Sequence, residues 1–232
     1  MVPPGTESRD MTKKTKTKSA APLGPTPIDD LPPRRRAILG AAFDVLMEHG
    51  YAGASTLEIA TRAKVSKREL YAEFGNKAGI LEALIASTAS RMQVPLKLPE
   101  ATDRATLATI LTRYGVTALT ELTHPAVLAI NRLAVAESGA RSDLGHILDR
   151  AGREPNRIAL GRLIGHAQEA GFLGKGDADR ISGQFFSLLF GDIQVRLMMG
   201  VIAPPDANEI QRRAEAAAEA VLQLYPCPVT RT

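Results

Sequence analysis

The amino-acid sequence predicts an all-α protein, and three observations lead to this prediction. The 232 residues are 44% hydrophobic, which excludes global disorder and suffices for one large or two small domains with a core. Aromatic residues make up 4%, Trp is absent, and Ala and Leu are abundant, which favours helices over sheets. Apolar residues recur at helical spacing from residue 34 onward.

Residues 1–33 are rich in Pro, Thr, Ser and Lys and show almost no apolar periodicity, which predicts a disordered basic arm. Its lysines at positions 13, 14, 16 and 18 suit nonspecific contacts with nucleic-acid phosphates. A solubilising tail is the alternative interpretation.

A first helix is predicted from residue 34 to Gly50, a glycine of the kind that follows a helix. Three arginines begin it, where the helix dipole disfavours cations, so either nearby phosphate or a solvated end accounts for them. One face is apolar and predicted to be buried: Ile38, Ala41, Ala42, Val45 and Leu46.

The stretch TLEIATRAKVSKRELYAEFGNK, residues 56–77, predicts two short helices joined by a tight turn at residues 64–66. Thr56 is the predicted N-cap of the first helix, and Ser66 caps the second. The first helix has a predicted buried stripe of small and medium side chains, Leu57, Ile59, Ala60 and Ala63. In the second helix Leu70 and Phe74 are expected to point inward.

A helix-turn-helix presents its second helix to the DNA major groove, with the N-terminal residues foremost. Lys67 and Arg68 point outward there, and both side chains reach guanine O6 and N7. Glu69 either accepts a hydrogen bond from a cytosine amine or neutralises Arg68. Helix starts at Thr56 and Lys77 offer N–H groups to phosphate. The predicted DNA-binding residues are Thr56, Ser66, Lys67, Arg68, Tyr71 and Lys77.

The pattern I-A-x-x-A-x-V-S-x-x-x-L-Y-x-x-F-x-x-K at residues 59–77, preceded by a helix ending in Gly50-Tyr51, resembles the DNA-binding domain of TetR/AcrR bacterial regulators. The resemblance covers residues 34–89. It implies a repressor that binds a palindromic double-stranded DNA operator as a homodimer, with Tyr71 on phosphate.

Two positions depart from the pattern of that family. Lys64 stands where the family usually has Gly, and a non-glycine residue at positive φ costs on the order of 1 kcal/mol. Glu73 stands where the family often has His or Arg. Its carboxylate must turn away from phosphate or pair with Arg62, Lys77 or another cation.

Positive charge is concentrated in the N-terminal part. Residues 1–93 contain 14 Lys and Arg against 10 Asp and Glu, whereas the remaining residues contain 15 of each, so the net charge of +4 lies in the first part. This asymmetry favours an electrostatic footprint for phosphate, with an ordinary solvated surface as the alternative.

A linking helix follows from residue 77, with Ile80, Leu81, Leu84 and Ile85 inward, and Pro95 and Pro99 mark a domain boundary. The predicted domains are a helix-turn-helix domain, residues 34–93, and a ligand-binding and dimerisation domain, residues 94–232. The second domain has predicted helices at 102–122, 125–138, 142–170 with a break at Pro155, 177–200 and 206–224.

Helices 102–122, 125–138 and 142–170 are predicted to enclose a pocket. They are mostly apolar with a few polar residues at inward-leaning positions, as is typical of small-molecule cavities. The predicted ligand-binding residues are Arg113, Tyr114, Asn131 and Gln184, and the predicted ligand is a small apolar or amphipathic organic molecule. Surface residues with a misjudged helical phase are the alternative.

The segment 177–200 is apolar nearly all round, which predicts burial on both sides and, with residues 206–224, an intersubunit four-helix bundle. The predicted interface residues are Phe186, Phe190 and Leu197. The run F-F-x-L-x-x-G-D-x-Q-x-R, residues 185–196, resembles the C-terminal domain of AefR-like members of the same family.

The sequence offers little catalytic chemistry. The four His are scattered, and the single Cys227 has no partner, so we expect no enzyme activity, metal or cofactor and a reducing cytoplasmic location. No apolar run predicts a membrane span or a signal peptide. The alternative function is a helical enzyme or adaptor that retains an unused DNA-binding-like domain.

Overall fold

The computed structural model describes residues 28–92, 101–138 and 143–227. These ranges are helical and contain no β-strand, in agreement with the predicted all-α class. The α-helices are α1 (Pro33–Gly53), α2 (Thr56–Arg62), α3 (Lys67–Phe74), α4 (Lys77–Met92), α5 (Arg104–Leu122), α6 (Pro125–Ala136), α7 (Leu144–Leu148), α8 (Glu154–Glu169), α9 (Ala178–Phe190), α10 (Ile193–Met198) and α11 (Ala207–Leu224).

A first hydrophobic core is formed by the four helices α1, α2, α3 and α4 together with helices from the C-terminal half. The apolar faces predicted for α1 and α4 are buried in it. Ile130 of α6 and Leu144 and Ile147 of α7 belong to the same core. The predicted domain boundary between residues 93 and 94 stays a prediction. The first core extends across this boundary, since it contains residues from both sides.

A second core is formed by α5, α8, α9 and α11. Its centre is aromatic, with the Tyr114 ring 6.0 Å from that of Phe185 and 5.9 Å from that of Phe186. Burial raises the pKa of the Tyr114 hydroxyl above its usual range. Leu107, Leu111 and Leu119 of α5 are fully buried in the same core.

The predicted helix 177–200 is in fact two helices, α9 and α10. Gly191 separates them with φ 52° and ψ −125°, a conformation that a residue with a Cβ adopts only under strain. The break turns α10 toward α6, where the Arg132 guanidinium donates to the carbonyls of Leu197 and Met198 at 2.6 and 2.9 Å. The prediction of one continuous helix was wrong here.

Two further elements refine the predictions. The break expected near Pro155 is a π-helical turn, Asp149–Arg153, between α7 and α8. Residues 28–30 form a 3-10 turn, and Ile28 and Leu31 pack on the first core, so the disordered arm does not include them. The rest of the predicted arm, residues 1–27, lies outside the described residues. No helix in the described ranges has an apolar stretch of the length that a bilayer span needs.

Candidate nucleic-acid interface and internal cavity

The turn between α2 and α3 lets the two helices cross closely. Ala60 is 2% exposed at the crossing, and its carbonyl accepts a hydrogen bond from the Val65 N–H at 3.0 Å. Lys64 has φ 55°, a left-handed conformation that no other non-glycine residue adopts in the described ranges. The turn thus keeps its helix-turn-helix shape with a lysine at the position where glycine is favoured.

The start of α2 differs from the prediction in two respects. Ser55, and not Thr56, is the N-cap, and its hydroxyl accepts from the Leu57 N–H at 3.3 Å. Leu57 is 60% exposed instead of buried. At about 100° per residue, Leu57 lies roughly 110° around the helix from the centre of the face formed by Ile59, Ala60 and Ala63, so it points away from the core.

The outward face of α3 carries the residues predicted to contact DNA. Lys67, Arg68 and Tyr71 are exposed. The Tyr71 hydroxyl is 2.9 Å from the Thr56 hydroxyl, and the Lys67 ammonium lies 5.6 Å from the centre of the Tyr71 ring. Thr56, Lys67 and Tyr71 therefore form one connected polar surface across α2 and α3, with Arg68 beside it.

Ser66 and Glu69 form a capping box at the start of α3. The Glu69 carboxylate accepts from the Ser66 N–H and hydroxyl, both at 2.8 Å, and the Ser66 hydroxyl accepts from the Glu69 N–H at 3.2 Å. The Ser66 backbone hydrogen bond is the main reason that the pKa of Glu69 is lowered. Glu69 also pairs with Arg34 at 2.9 Å. The Glu69 carboxylate is therefore engaged by Ser66 and Arg34, and the predicted role in which it neutralises Arg68 was wrong.

The arginines at the start of α1 hold α1 against α3. Arg35 pairs with Glu73 at 3.3 Å, and its guanidinium lies 4.8 Å from the centre of the Phe74 ring. The cation that neutralises Glu73 is thus Arg35, and neither Arg62 nor Lys77. Arg34 bonds Glu69 in the same way, so these two arginines are neither a merely solvated helix end nor free for phosphate.

The Lys77 ammonium is held by the end of α1. It donates to the carbonyl of Tyr51 at 2.6 Å and to that of Ala52 at 3.3 Å, and it lies 4.6 Å from the centre of the Tyr51 ring. Asn76 caps α4 by accepting from the Gly79 N–H at 2.9 Å. The ammonium is therefore engaged within the chain, whereas the first N–H groups of α4 have no helical acceptor.

Free positive charge at this surface comes from three residues close together in sequence. Lys64, Lys67 and Arg68 form no ion pair with any residue that the structure describes. In the sequence, Lys64 is notable only as a departure from the family pattern. Its exposure beside Lys67 and Arg68 adds it to the candidate DNA contacts.

A cluster on the other side of α2 contains Glu48, His49 and Glu58, whose potential metal-ligating atoms lie within 4.8 Å of one another. Arg62 donates to both Glu48 oxygens at 2.6 Å and to Glu58 at 2.5 Å. The hydrogen bond from Arg62 lowers the pKa of Glu48. The guanidinium supplies the positive charge that a cation would bring, and the cluster fastens α1 to α2.

A cavity of about 1090 Å³ lies between α4, α5, α6, α8 and α9. Most of its wall is apolar. The apolar side chains that line it include Ile85, Leu122, Val127, Ile130, Leu148, Phe186 and Phe190.

Two of the four predicted ligand-binding residues, Asn131 and Gln184, line this cavity. The Asn131 amide donates to the Val127 carbonyl at 2.9 Å, and the Gln184 side-chain oxygen accepts from the Tyr225 hydroxyl. Arg113 and Tyr114 do not line it. Arg113 is exposed on the far side of α5, and Tyr114 is buried behind the Phe186 ring in the second core.

The residues predicted for the dimer interface are largely covered within one chain. Phe190 is 5% exposed and Leu197 1% exposed, while Phe186 is half-buried in the cavity wall. The break at Gly191 explains the difference, because it folds α10 back onto α6. The exposed large apolar residues from α9 onward are different ones: Leu188, Val195, Met199, Val201 and Leu224.

Two known protein families together match most of the residues that the structure describes. The family "Bacterial regulatory proteins, tetR family" matches residues 38–84, and "AefR-like transcriptional repressor, C-terminal domain" matches residues 109–227. The uncharacterised HTH-type transcriptional regulator YvkB of Bacillus subtilis is 28% identical over 182 residues, which cover 77% of this chain and 92% of YvkB.

Solved structures show the same fold. A TetR transcriptional regulator from Agrobacterium tumefaciens is 31% identical with a TM-score of 0.71, over 85% of this chain and 97% of that one. The flavonoid-responsive regulator FrrA is 26% identical with a TM-score of 0.68, over 84% and 98%. TetR regulators bind DNA operators as dimers. This chain is a member of the TetR family with an AefR-like C-terminal domain, and hence a DNA-binding transcriptional regulator and not an enzyme.

Proposed function

We propose that this chain is a ligand-responsive repressor that acts in the cytoplasm. It binds a palindromic operator as a homodimer, and a small apolar or amphipathic organic molecule in the cavity controls its hold on DNA. The observation that carries this proposal is a shared set of side chains. Ile85 of α4 and Ile130 of α6 line the cavity and also belong to the core of the helix-turn-helix.

We assign the contacts with DNA from exposure and charge. Lys67 and Arg68 read base edges from the start of α3. Thr56, Tyr71 and Lys64 hold phosphates, because they flank those residues with exposed hydroxyl and ammonium groups.

The start of α4 provides a further phosphate contact. Lys77 contributes its backbone N–H there and not its ammonium, which the end of α1 engages. Ser66 shapes this surface through the capping box.

The ligand class follows from the wall of the cavity. The lining is mostly apolar, with a few amide groups and with charged side chains that include Arg153, Arg157 and Arg180. Such a wall suits an amphipathic organic molecule more than a nucleotide or a metal ion. The name of the similar regulator FrrA states that it responds to flavonoids, which are amphipathic aromatic molecules. That similarity supports an amphipathic ligand for this chain as well.

Control of DNA binding requires only that the ligand favour the released form. A hundredfold loss of operator affinity needs about 2.7 kcal/mol of differential binding. A shift of α4 would change the separation of the two α3 helices, which must match half-sites about one DNA turn apart.

The second copy is expected to bind at exposed apolar residues of α9 and α11. Leu188 on α9 and Leu224 on α11 are 43% and 58% exposed. Ala216 is exposed and Ala220 half-buried, and with Leu224 they follow the same edge of α11 at a spacing of four residues. Small residues there permit close approach of a symmetry-related helix.

A mobility-shift assay tests this proposal. The purified protein is mixed with DNA from upstream of its own gene and then with a panel of amphipathic aromatic compounds. We expect a shifted complex that Arg68→Ala weakens and that at least one compound dissolves. A complex that no saturating compound changes would contradict ligand control, and the absence of any complex would contradict the presence of an operator in that upstream DNA.

A further inference from the structure

Asn156 has an unusual position in the wall of the cavity. It lies in the first turn of α8, lines the cavity and is 1% exposed. Its Nδ2 donates to the Gly152 carbonyl at 2.8 Å and to the Ala89 carbonyl of α4 at 3.4 Å. Its Oδ1 is buried and accepts no hydrogen bond from the residues that the structure describes.

We propose that Asn156 is a ligand-recognition residue, whose Oδ1 accepts a hydrogen bond from a hydroxyl or N–H group on an otherwise apolar ligand. The inference rests on the proposed function, since it presumes that the cavity binds a small molecule.

The orientation of the amide is fixed by its neighbours. Both Nδ2 hydrogens have a carbonyl acceptor, so a flipped amide would place Oδ1 against two carbonyl oxygens. The oxygen is consequently the one group of this side chain with unused hydrogen-bonding capacity. A buried acceptor without a partner is unfavourable, and a ligand donor relieves that cost.

The backbone around Asn156 brings α4 to this position. The π-helical turn Asp149–Arg153 comes immediately before α8, and such turns inside helices often occur at functional sites. A Cβ on Gly152 would lie 3.1 Å from a methyl of Ile85, so the glycine permits the close approach of α4. The amide of Asn156 therefore connects the cavity to the helix that follows the recognition helix.

The residues around Asn156 determine which chemical groups of a ligand fit beside its Oδ1. Ile85, Ala89 and other apolar side chains line the same cavity. Three arginines line it as well: Arg153 and Arg157 are paired with carboxylates at 2.8 to 3.0 Å, and Arg180 is exposed to solvent. A carboxylate placed on Oδ1 would bring two acceptors together. A neutral phenol, alcohol or amide N–H fits, because each donates to Oδ1 and leaves an apolar body for the rest of the cavity.

Two probes of similar shape separate the hydrogen bond from the hydrophobic contribution. 2-Naphthol carries a hydroxyl where 2-methylnaphthalene carries a methyl. Calorimetric titration of the full chain gives the ratio of their affinities for the wild type, for Asn156→Leu and for Gln194→Leu. Gln194 is the matched control, because its amide lines the same cavity but is exposed, and its side-chain oxygen is not a buried unpartnered acceptor.

We expect Asn156→Leu to lower the preference for 2-naphthol over 2-methylnaphthalene by on the order of tenfold, and Gln194→Leu to leave it unchanged. An unchanged ratio in Asn156→Leu, with both probes still bound, would overturn the role of Asn156 and leave the ligand cavity standing. Failure of both probes to bind the wild type would contradict the proposal that the cavity binds small apolar molecules, and with it the role of Asn156.

A crystal structure of the wild type with 2-naphthol tests the same contact if the leucine variant does not fold. The naphthol oxygen is expected within about 3.2 Å of Asn156 Oδ1. A bound naphthol with its oxygen directed elsewhere would overturn the assignment.

Discussion

At the scale of single residues, the surface around α3 separates charges that bind within the chain from charges that stay available. Arg34 and Arg35 are paired with Glu69 and Glu73, and Lys77 is bound to carbonyls at the end of α1. Lys64, Lys67 and Arg68 are left to face a partner. Charge counts over the N-terminal part alone do not distinguish these two groups.

Lys64 combines backbone strain with a free positive charge, and two substitutions separate them. Lys64→Gly should raise the free energy of unfolding by about 1 kcal/mol, because glycine adopts positive φ without a Cβ clash. Lys64→Ala should not stabilise the protein. Both should reduce the slope of log affinity for DNA against log salt by about one unit. Chemical denaturation and salt titrations measure these effects, and an unchanged salt slope would remove Lys64 from the phosphate contacts.

Lys77 should act mainly on stability. Lys77→Met keeps the aliphatic stem and removes the hydrogen bonds to Tyr51 and Ala52, so we expect a loss of about 1–2 kcal/mol of unfolding free energy. The salt dependence of DNA binding should hardly change. A salt slope lower by one unit with unaltered stability would show instead that the ammonium binds phosphate.

At the scale of elements, the sequence predicted helices well where local signals suffice. The spacing in α1, α3 and α4 identified their buried faces, and Ser66 is the N-cap of α3, as expected. Tertiary partners decide what local periodicity leaves open. Tyr114 points inward, but into the second core behind Phe186 and not into the cavity, and the break at Gly191 accompanies the packing of α10 on α6.

Ion pairs between distant residues were also beyond the sequence. Arg35 and Glu73 are 38 positions apart, and their pairing depends on how α1 crosses α3. The unpartnered oxygen of Asn156 likewise arises from contacts of α8 with α4 and the π-helical turn. In the sequence, the one sign of this role is that a polar asparagine lies on an otherwise apolar face of the helix.

The exposed and buried apolar residues of α9 should respond differently to a charge. Leu188→Glu should yield folded monomers, since Leu188 is 43% exposed and belongs to the proposed dimer surface. Phe190→Glu should unfold the chain, because Phe190 is 5% exposed in the core. Sedimentation and circular dichroism distinguish the two outcomes. A folded dimer of Leu188→Glu would place the interface elsewhere.

At the scale of the whole molecule, the helix-turn-helix and the cavity are parts of one packed body. Residues of α4 and α6 reach both, and the Tyr51 N–H at the end of α1 donates to Glu137, just after α6, at 2.9 Å. The Lys77 ammonium binds the carbonyl of the same Tyr51. A displacement of α6 by a ligand therefore has a direct connection to the position of α1 and α4.

Glu137 should set the strength of this coupling. Glu137→Ala removes the acceptor of the Tyr51 N–H, so a ligand should reduce operator affinity by a smaller factor than in the wild type, whereas Glu137→Gln keeps an acceptor and most of the effect. Fluorescence anisotropy with labelled operator, with and without ligand, measures the factor. Equal factors in all three proteins would exclude this connection.

Selection of binding sites from random double-stranded DNA, by the wild type and by Arg68→Ala, tests operator recognition by α3 directly. We expect an inverted repeat whose half-site centres are about one helical turn, roughly 34–36 Å, apart or a multiple of it. In Arg68→Ala the preference should relax at one position of each half-site, at a cost of about 1–3 kcal/mol. No enriched sequence, or a repeat whose preferences are identical for both proteins, would contradict operator recognition by α3 of a dimer.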